Sequence, residues 1–326
     1  MKGILNVSKP QDWTSFDVVN YLKKLLNTKH IGHLGTLDPM ATGVLPVTIG
    51  SATKLFDLFL KKEKTYIAKF EFGYMTDTLD ATGQIIKSTQ KTPTFDEIKA
   101  ILPKFIGNIN QVPPIYSAKK INGRKAYDIA RSGQTIELKP NNIFIKNLEI
   151  LDYKTNITTL GSLSKKLAPK GAEDMRDSDF SSLGLLSKRL SMKSTGDIKI
   201  SELTLKIECG AGTYIRAIGR DIANELNTLA TMTELTRTEV GIFKLEDSIN
   251  IKFLTKEEIV SKILPTDITF NHLPIINDET LVFRLLNGQT VITTLDNGEY
   301  RVYKDNEFLA LARVENSKFK MTKYFG

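Results

Sequence analysis

The chain has 326 residues, of which 41 % are hydrophobic, and it carries a formal net charge of +8. This length allows one large domain or two of ordinary size. The sequence has no apolar run of about 18 residues, no signal peptide and no second cysteine, so we expect a cytoplasmic protein without a membrane span or disulfide. The positive charge favours a polyanionic partner but does not identify it.

The first predicted element is a helix that follows residues 9–15. Its apolar side chains recur at helical spacing: Phe16, Val19, Leu22 and Leu26. This periodicity predicts that one face of the helix is buried. A hydroxyl side chain at its start, from Thr14 or Ser15, is suited to cap the first free N–H groups.

Residues 33–46 show neither helical nor strand periodicity, and they place one carboxylate, Asp38, between two glycines. Pro39 restricts Asp38 to an extended backbone, whereas Gly35 and Gly43 permit dihedrals that other residues avoid. The pattern predicts a rigid loop that presents Asp38. Taken alone, a Leu-Asp-Pro sequence is also typical of a turn in which the aspartate bonds its own backbone.

Residues 64–73 alternate and predict a strand with Tyr66 on its apolar face, where it is either a core tyrosine or a functional one. Residues 76–83 follow as a polar turn, and we interpret Asp77 and Asp80 as turn-forming residues. Residues 112–138 interleave cations with tyrosines, which is typical of an RNA-contact segment but also of a solvated helix face.

Between residues 154 and 197 the periodicity is lost, and glycine, serine, lysine and aspartate dominate. Such a composition buries too little apolar surface to offset ordering, so we predict a disordered insertion. Its leucines leave open a helix docked on the core.

A strand is predicted over residues 203–209, followed by a turn and a helix with Thr213 as its N-cap. The helix has one apolar face: Ile215, Ile218, Ile222 and Leu226. After residue 264, alternating segments at 280–283 and 300–303, with turn patterns at 286–289 and 296–299, predict a small β-rich domain.

Metal and nucleotide cofactors are not expected. His30 and His33 are spaced i, i+3, but the third histidine, His272, is distant and no cysteine pair is available. No phosphate-binding loop is present, and Ile215 stands where a dinucleotide-binding turn after Gly210 would need its third glycine.

The string Gly-Thr-Leu-Asp-Pro-x-Ala-Thr-Gly-x-Leu-Pro over residues 35–46, followed by Gly-Ser-Ala-Thr-Lys at 50–54, resembles the catalytic loop of the bacterial tRNA pseudouridine synthases of the TruB family. Residues 9–15 resemble the opening Lys-Pro-x-Gly motif of the family, with Asp12 in place of its glycine. Residues 212–216 resemble the second motif, Gly-Thr-Tyr-Ile-Arg, and residues 234–238 resemble its Leu-x-Arg segment.

The resemblance implies an α+β fold, a mixed and mainly antiparallel sheet flanked by helices, followed by a small β-rich domain of PUA-like character. It implies a catalytic pseudouridine synthase domain over residues 1–264 and a C-terminal RNA-binding domain over 265–326. Within the first domain, residues 119–139 would form an RNA-gripping thumb, and residues 154–197 would be the insertion.

The family's functional residues match seven positions of this chain. Asp38 would be the nucleophile, Arg216 would pair with it, and Tyr66 would stack on the target base. The remaining four would bind substrate. Tyr214 and Leu235 would shape the pocket, and His33 would brace the gap left by the flipped base. Lys9 would be a neighbouring cation.

The implied reaction is isomerisation of uridine to pseudouridine at position 55 in the T-loop of tRNA. The expected partner is the T-arm stem-loop, bound by a monomer without membrane, metal or cofactor. Two rivals remain: a tRNA-binding or folding factor without catalysis, and a glycoside hydrolase. A hydrolase usually needs two carboxylates, whereas this loop offers one.

Overall fold

The structure is a computed structural model that describes residues 1–116, 120–121, 124–125, 138–159, 162–163, 167 and 197–326. Most of the predicted thumb and of the predicted insertion therefore lies outside the described residues. Within the described residues the helices are α1 (Ser15–Leu26), α2 (Phe56–Leu60), α3 (Phe95–Ile101), α4 (Ile215–Glu225), α5 (Lys256–Ser261) and α6 (Glu279–Leu286). The strands are β1 (Gly3–Lys9), β2 (Ile31–His33), β3 (Thr42–Ile49), β4 (Lys64–Phe72), β5 (Tyr74–Thr76), β6 (Ile85–Ser88), β7 (Gly107–Gln111), β8 (Lys120–Ile121), β9 (Arg124–Lys125), β10 (Asn141–Thr159), β11 (Asp197–Cys209), β12 (Ala230–Val240), β13 (Phe243–Lys244), β14 (Ile275–Ile276), β15 (Val291–Ile292), β16 (Gly298–Lys304), β17 (Glu307–Glu315) and β18 (Lys318–Tyr324).

The chain divides into two compact units. Unit 1 consists of Met1–Pro39, Gly43–Lys61 and Val240–Gly326, and unit 2 consists of Met40–Thr42 and Lys62–Glu239. The boundary predicted between residues 264 and 265 falls inside unit 1. The reason is a shared hydrophobic cluster, in which side chains of the first 60 residues pack with those of the C-terminal sheet.

In the N-terminal part of unit 1, β1 runs antiparallel to β3, and β2 pairs with β3. Helix α1 covers these strands with Val18, Val19, Leu22 and Leu26, and the predicted N-cap Thr14 closes a capping box with Asp17. The helix and its start are confirmed. Phe16 differs from the prediction, because it is 58 % exposed and Val18 takes its place in the core.

The connection from β1 to α1 resembles the connection from β11 to α4 in unit 2. Each strand is followed by a turn with one residue of positive φ, Asp12 at 66° and Gly212 at 80°. Helices α1 and α4 begin three residues after those positions. A positive φ is easy for glycine and tolerated by aspartate, which explains how Asp12 replaces the glycine of the family motif.

The C-terminal part of unit 1 is a five-stranded sheet in the order β14–β16–β17–β18–β15. The predicted β-rich character of the C-terminal part and the strand over residues 300–303 are confirmed. Residues 280–283 were predicted as a strand but form part of α6, because Val282 and Leu285 pack on the sheet at helical spacing. The hairpin turns were predicted at 286–289 and 296–299 but lie at 305–306 and 316–317, where all four residues have positive φ.

Unit 2 contains a sheet in the order β12–β4–β11–β10–β7, with β11 antiparallel to both β4 and β10. Helix α4 covers one face of it, as predicted from its apolar spacing. Strand β10 continues to Thr159 and β11 begins at Asp197, so both strands extend into the predicted insertion. Long-range pairing from Lys154 to Thr159 orders these residues despite their polar composition.

Within the described residues, Leu163 is buried against Tyr74, Ile198 and Ile200. This contact agrees with the alternative in which leucines of the insertion pack on the core. None of the helices in the described part of the chain is long and apolar enough to cross a bilayer.

Gly219 fixes the approach of α4 to the sheet. A β-carbon at this position would lie 2.4 Å from Cδ1 of the buried Phe70 ring. We expect Gly219→Ala to lower the free energy of unfolding by about 1–2 kcal/mol, because overpacking outweighs the better helix propensity of alanine. Urea denaturation measures the change. Gly298→Ala, where the added carbon meets nothing within 4 Å, is the control, and an equal effect at both glycines would contradict the clash.

Candidate active site

The loop that carries Asp38 is attached to the start of α1 by a buried lysine. Lys9, the last residue of β1, is fully buried, and its Nζ donates hydrogen bonds to the backbone oxygens of Pro10 at 2.8 Å, Trp13 at 2.6 Å and Pro39 at 3.1 Å. A buried ammonium needs such acceptors, and bonds from a charged donor contribute about 1.5–3 kcal/mol each. Lys9 therefore ties the residue after Asp38 to the turn before α1.

The same loop is held from its other side by Ser15. The Ser15 Oγ accepts from the Leu37 N–H at 2.9 Å and lies 3.2 Å from the Leu37 oxygen. Gly35 and Gly43 adopt φ values of 128° and 103°, as their placement predicted. Asp38 is half-buried between two neighbours whose backbone is hydrogen-bonded to Lys9 and Ser15.

Asp12 adds a further backbone contact, because its N–H donates to the Pro39 oxygen at 2.9 Å. His33, the last residue of β2, is half-buried and pairs in register with Val47 of β3. Unit 1 thus brings Lys9 to the loop of Asp38 and places His33 where that loop begins.

Four of the predicted site residues lie in unit 2: Tyr66, Tyr214, Arg216 and Leu235. Tyr66 is buried in β4 opposite Ile207 of β11 and shares the face of β4 with Phe70, against which α4 packs. Leu235 is buried in β12. The alternation that predicted Tyr66 on the apolar face is confirmed.

Arg216, the second residue of α4, forms a buried ion pair with Asp80. Its Nη1 lies 3.2 Å from Asp80 Oδ2, with the two side chains 10 % and 5 % exposed. The guanidinium also donates to the oxygens of Thr78 at 3.0 Å and Tyr116 at 3.1 Å. These contacts fix the plane of the guanidinium, as its fork of donors allows.

Asp80 was interpreted from sequence as a turn former, and that role is confirmed. Its Oδ1 accepts from the Thr82 N–H at 3.0 Å and from the Thr78 hydroxyl at 2.8 Å. The pairing of Oδ2 with Arg216 was missed, because nothing in the local pattern connects two residues so far apart in the chain. Leu79 beside it has φ of 64°, an unfavourable conformation for a leucine that the surrounding bonds maintain.

Tyr214 occupies the N-cap of α4, where Thr213 was predicted. The side chain of Tyr214 makes no cap bond, and instead Gln111 Oε1 accepts from the Tyr214 N–H at 2.9 Å while Gln111 Nε2 donates to the Tyr214 oxygen at 3.2 Å. The Thr213 hydroxyl bonds the Gly210 oxygen at 3.2 Å. A buried amide from β7 thus replaces the local cap, and it fixes the backbone beside Arg216.

A further cation lies at the start of β4, beside the end of β11. Lys64, the first residue of β4, donates to the Lys62 oxygen at 2.7 Å and is opposite Cys209 in register. Burial and the nearby Arg237 guanidinium lower the pKa of Lys64 to about 8. Burial raises the pKa of the Cys209 thiol to about 11, so this cysteine is a thiol at neutral pH.

The predicted pair of Asp38 with Arg216 joins residues of different units and stays a prediction. Among the described residues, no group of three or more metal-ligating side chains occurs.

Residues 23–166 match the family model described as TruB family pseudouridylate synthase, N-terminal domain. A protein named tRNA pseudouridine synthase B from Clostridium tetani is 35 % identical over 331 residues, covering 99 % of both chains. One with the same name from Borreliella afzelii is 34 % identical over 322 residues, covering 99 % of this chain and 98 % of its own. The chain belongs to the TruB family of pseudouridylate synthases.

Two solved structures share the fold of this TruB family member. A chain in a crystal structure of a Cbf5-Nop10-Gar1 complex superposes with a TM-score of 0.64 at 22 % identity, covering 99 % of this chain and 85 % of its own. A chain in a structure of an H/ACA RNP bound to a substrate RNA superposes with a TM-score of 0.62 at 21 % identity, with the same coverage. The expected α+β architecture is thus confirmed.

The lowered pKa of Lys64 predicts a pH dependence of stability. The unfolded chain holds this proton up to about pH 10.5, whereas the folded chain releases it near 8. Between these values the unfolded state binds more protons, so this group makes stability rise with pH. We expect wild type to gain stability relative to Lys64→Met from pH 8 to 10.5 in urea denaturation. The exposed Lys61→Met is the control, and a flat difference for Lys64→Met would contradict the shift.

Proposed function

We propose that this protein isomerises uridine to pseudouridine at position 55 in the T-loop of tRNA, in the cytoplasm, as a monomer without a cofactor. The supporting observation is the anchored Asp38 loop in a chain whose full length matches proteins named tRNA pseudouridine synthase B. The positive net charge suits an RNA substrate.

The reaction breaks the bond between uracil N1 and ribose C1′ and joins C5 of the base to C1′, while C5 loses its proton and N1 gains one. A carboxylate assists by attacking covalently or by stabilising an electron-poor sugar. Asp38 is our candidate, because Lys9 and Ser15 hold both of its neighbours and leave it half-buried. The target nucleotide has to leave the stacked loop to reach it.

Arg216 is proposed to orient the Asp38 carboxylate and favour its charged form. Asp80 is then a positioning residue, since it fixes the Arg216 guanidinium by a buried ion pair. A buried arginine held at one edge by Asp80 and backbone oxygens presents its remaining donors in a defined direction.

The other matched residues are proposed to bind the flipped nucleotide. Tyr66 stacks on the uracil, while Tyr214 and Leu235 shape its pocket. His33 braces the gap that the flipped base leaves in the RNA, and Lys9 maintains the loop. The burial of Tyr66 and Leu235 supports a pocket with apolar walls.

One product assay separates this proposal from its rivals. Wild-type protein is incubated with a T-loop transcript, and pseudouridine is detected by carbodiimide labelling. Isomerised uridine supports the proposal, unchanged RNA supports a binding or folding factor, and released base or sugar supports a hydrolase.

Asp38→Asn is expected to reduce pseudouridine formation to background while leaving the RNA dissociation constant within about twofold. The change is nearly isosteric but removes the charge that the chemistry needs, and losses of this kind reach roughly 10³-fold or more. Single-turnover kinetics and filter binding provide the two measurements. Asp96→Asn, an exposed carboxylate in α3, is the control, and measurable turnover by Asp38→Asn would exclude the assignment.

Asp80→Asn is expected to lower the single-turnover rate roughly 10- to 100-fold, the equivalent of one lost charge-assisted bond. RNA affinity should change little. Asp77→Asn is a matched control in the same turn, since an asparagine oxygen can still accept from the Gln84 N–H that Asp77 Oδ1 binds at 2.8 Å. Equal losses in both variants would assign Asp80 to the turn alone.

A further inference from the structure

Two arginines of α4, about one helical turn apart, bind the same stretch of backbone. Arg216 Nη2 donates to the Tyr116 oxygen at 3.1 Å, and Arg220 Nη2 donates to the Val112 oxygen at 2.7 Å. Side chains four residues apart lie on one face of a helix. That face of α4 therefore holds residues 111–116 at two points, one of which is the guanidinium of the site arginine.

Each of these arginines is paired with its own carboxylate. Arg216 pairs with Asp80, and Arg220 pairs with its neighbour Asp221. Both Nε and Nη2 of Arg220 lie 2.8 Å from Asp221 Oδ1. Burial raises the pKa of Asp221, and the adjacent guanidinium acts against that rise. Asp221 is thus a largely buried acid whose charged form depends on its partners.

The Asp221 carboxylate also accepts a hydrogen bond from the side chain of Gln111. A charged carboxylate only accepts, so the donor is the amide nitrogen Nε2, which carries two N–H groups. Gln111 Nε2 also donates to the Tyr214 oxygen at 3.2 Å, and Oε1 accepts from the Tyr214 N–H at 2.9 Å. Through this amide, Asp221 fixes the backbone two residues before Arg216.

A second route leads from Asp221 to the same guanidinium. Asp221 orients Arg220, and Arg220 holds the Val112 oxygen at the start of the short segment that ends at Tyr116. The Tyr116 oxygen is in turn an acceptor for Arg216. Both routes therefore converge on Arg216.

The simpler alternative is an ion pair that only stabilises the helix. Adjacent helical residues do not face each other, so the spacing of Arg220 and Asp221 is not one that supports a helix by itself. Both members of the pair instead bind groups outside α4, namely the Val112 oxygen and the Gln111 amide. These contacts favour a positioning role.

We propose that Asp221 is a positioning residue for the isomerisation, which acts by holding the Arg216 guanidinium in place. Its two intermediaries are Gln111 and Arg220. This inference rests on the proposed function, in which Arg216 orients the Asp38 carboxylate.

The first test is Asp221→Asn, assayed with the full-length protein and a T-loop transcript. The single-turnover rate at saturating RNA is expected to fall roughly 3- to 30-fold, as for the loss of one charge-assisted hydrogen bond. The dissociation constant of the RNA should stay within about twofold of wild type, since the group acts on the chemical step. Circular dichroism at the assay temperature verifies that each variant is folded.

Glu225→Gln is the matched control on the same helix. Glu225, the last residue of α4, pairs with Lys104 at 2.9 Å, so this variant also removes one carboxylate charge from an ion pair of α4. Its single-turnover rate should equal that of wild type. An equal loss in Glu225→Gln and Asp221→Asn would overturn the proposal, because the effect would then come from the helix as a whole.

The second test exchanges the partners of one hydrogen bond. Gln111→Glu places two carboxylates in contact and is expected to lower the single-turnover rate roughly 10- to 100-fold. In the double variant Gln111→Glu/Asp221→Asn the new asparagine can donate to the new glutamate and still accept from Arg220. We expect the double variant to be at least about fivefold faster than Gln111→Glu. Absence of this recovery in folded protein would overturn the proposed route through Gln111.

The third test asks whether Asp221 and Asp80 act on the same guanidinium. If both hold Arg216, the combined loss of rate in Asp80→Asn/Asp221→Asn should be at least about threefold smaller than the product of the two single losses. A combined loss equal to that product or above it would show independent action and overturn the proposal.

The remaining outcomes are also decisive. An unchanged single-turnover rate in Asp221→Asn overturns the inference alone, provided that wild type is active. A loss of RNA affinity at an unchanged rate would assign the Asp221 contacts to RNA binding and would also overturn it. Wild-type protein that leaves uridine unchanged refutes the proposed function together with this inference.

Discussion

The candidate site depends on the hydrogen bonds made by the fully buried ammonium of Lys9. It joins three backbone oxygens that come from the turn before α1 and from the loop after Asp38. A charge buried in this way is stable only while its acceptors remain in place, so the turn and the loop hold each other in position. The bonds of Ser15 to Leu37 secure the remaining side. The position of the half-buried Asp38 is thus set by two side chains that bind the backbone on either side of it.

In unit 2 a buried cation is also held in place by contacts with a distant part of the chain. Arg216 is buried at the start of α4, and Asp80 in a distant turn supplies its counter-charge. The turn itself contains Leu79 in a conformation that leucine rarely adopts, which its surrounding hydrogen bonds maintain. In each unit a buried cation, Lys9 or Arg216, is therefore held by backbone oxygens as well as by side chains. The sheet and the turns fix the positions of these oxygens.

The strand–turn–helix pattern occurs twice, and the two copies differ in the residue at the second position of the helix. In each, a residue with positive φ reverses the chain and a helix starts three residues later. The second helical residue is buried Arg216 in one copy and exposed Phe16 in the other. The same local geometry thus places a buried arginine in one copy and an exposed ring in the other, because different elements pack beside the two helices.

Much of this protein could be predicted from the sequence, because local chemistry determines it. The glycines and proline around Asp38 fixed a rigid loop, periodicity located α1, α4, β4 and β11, and the motif strings indicated the family. The cap of α4 by Gln111 and the ordered ends of the insertion depend on contacts with residues far away in the chain. Residues 280–283 alternate like a strand yet form a helix, because the sheet beneath them buries a helical face. The pairing of Asp80 with Arg216 and the grip of Lys9 on Pro39 arise only when remote segments meet, and only the tertiary structure decided them.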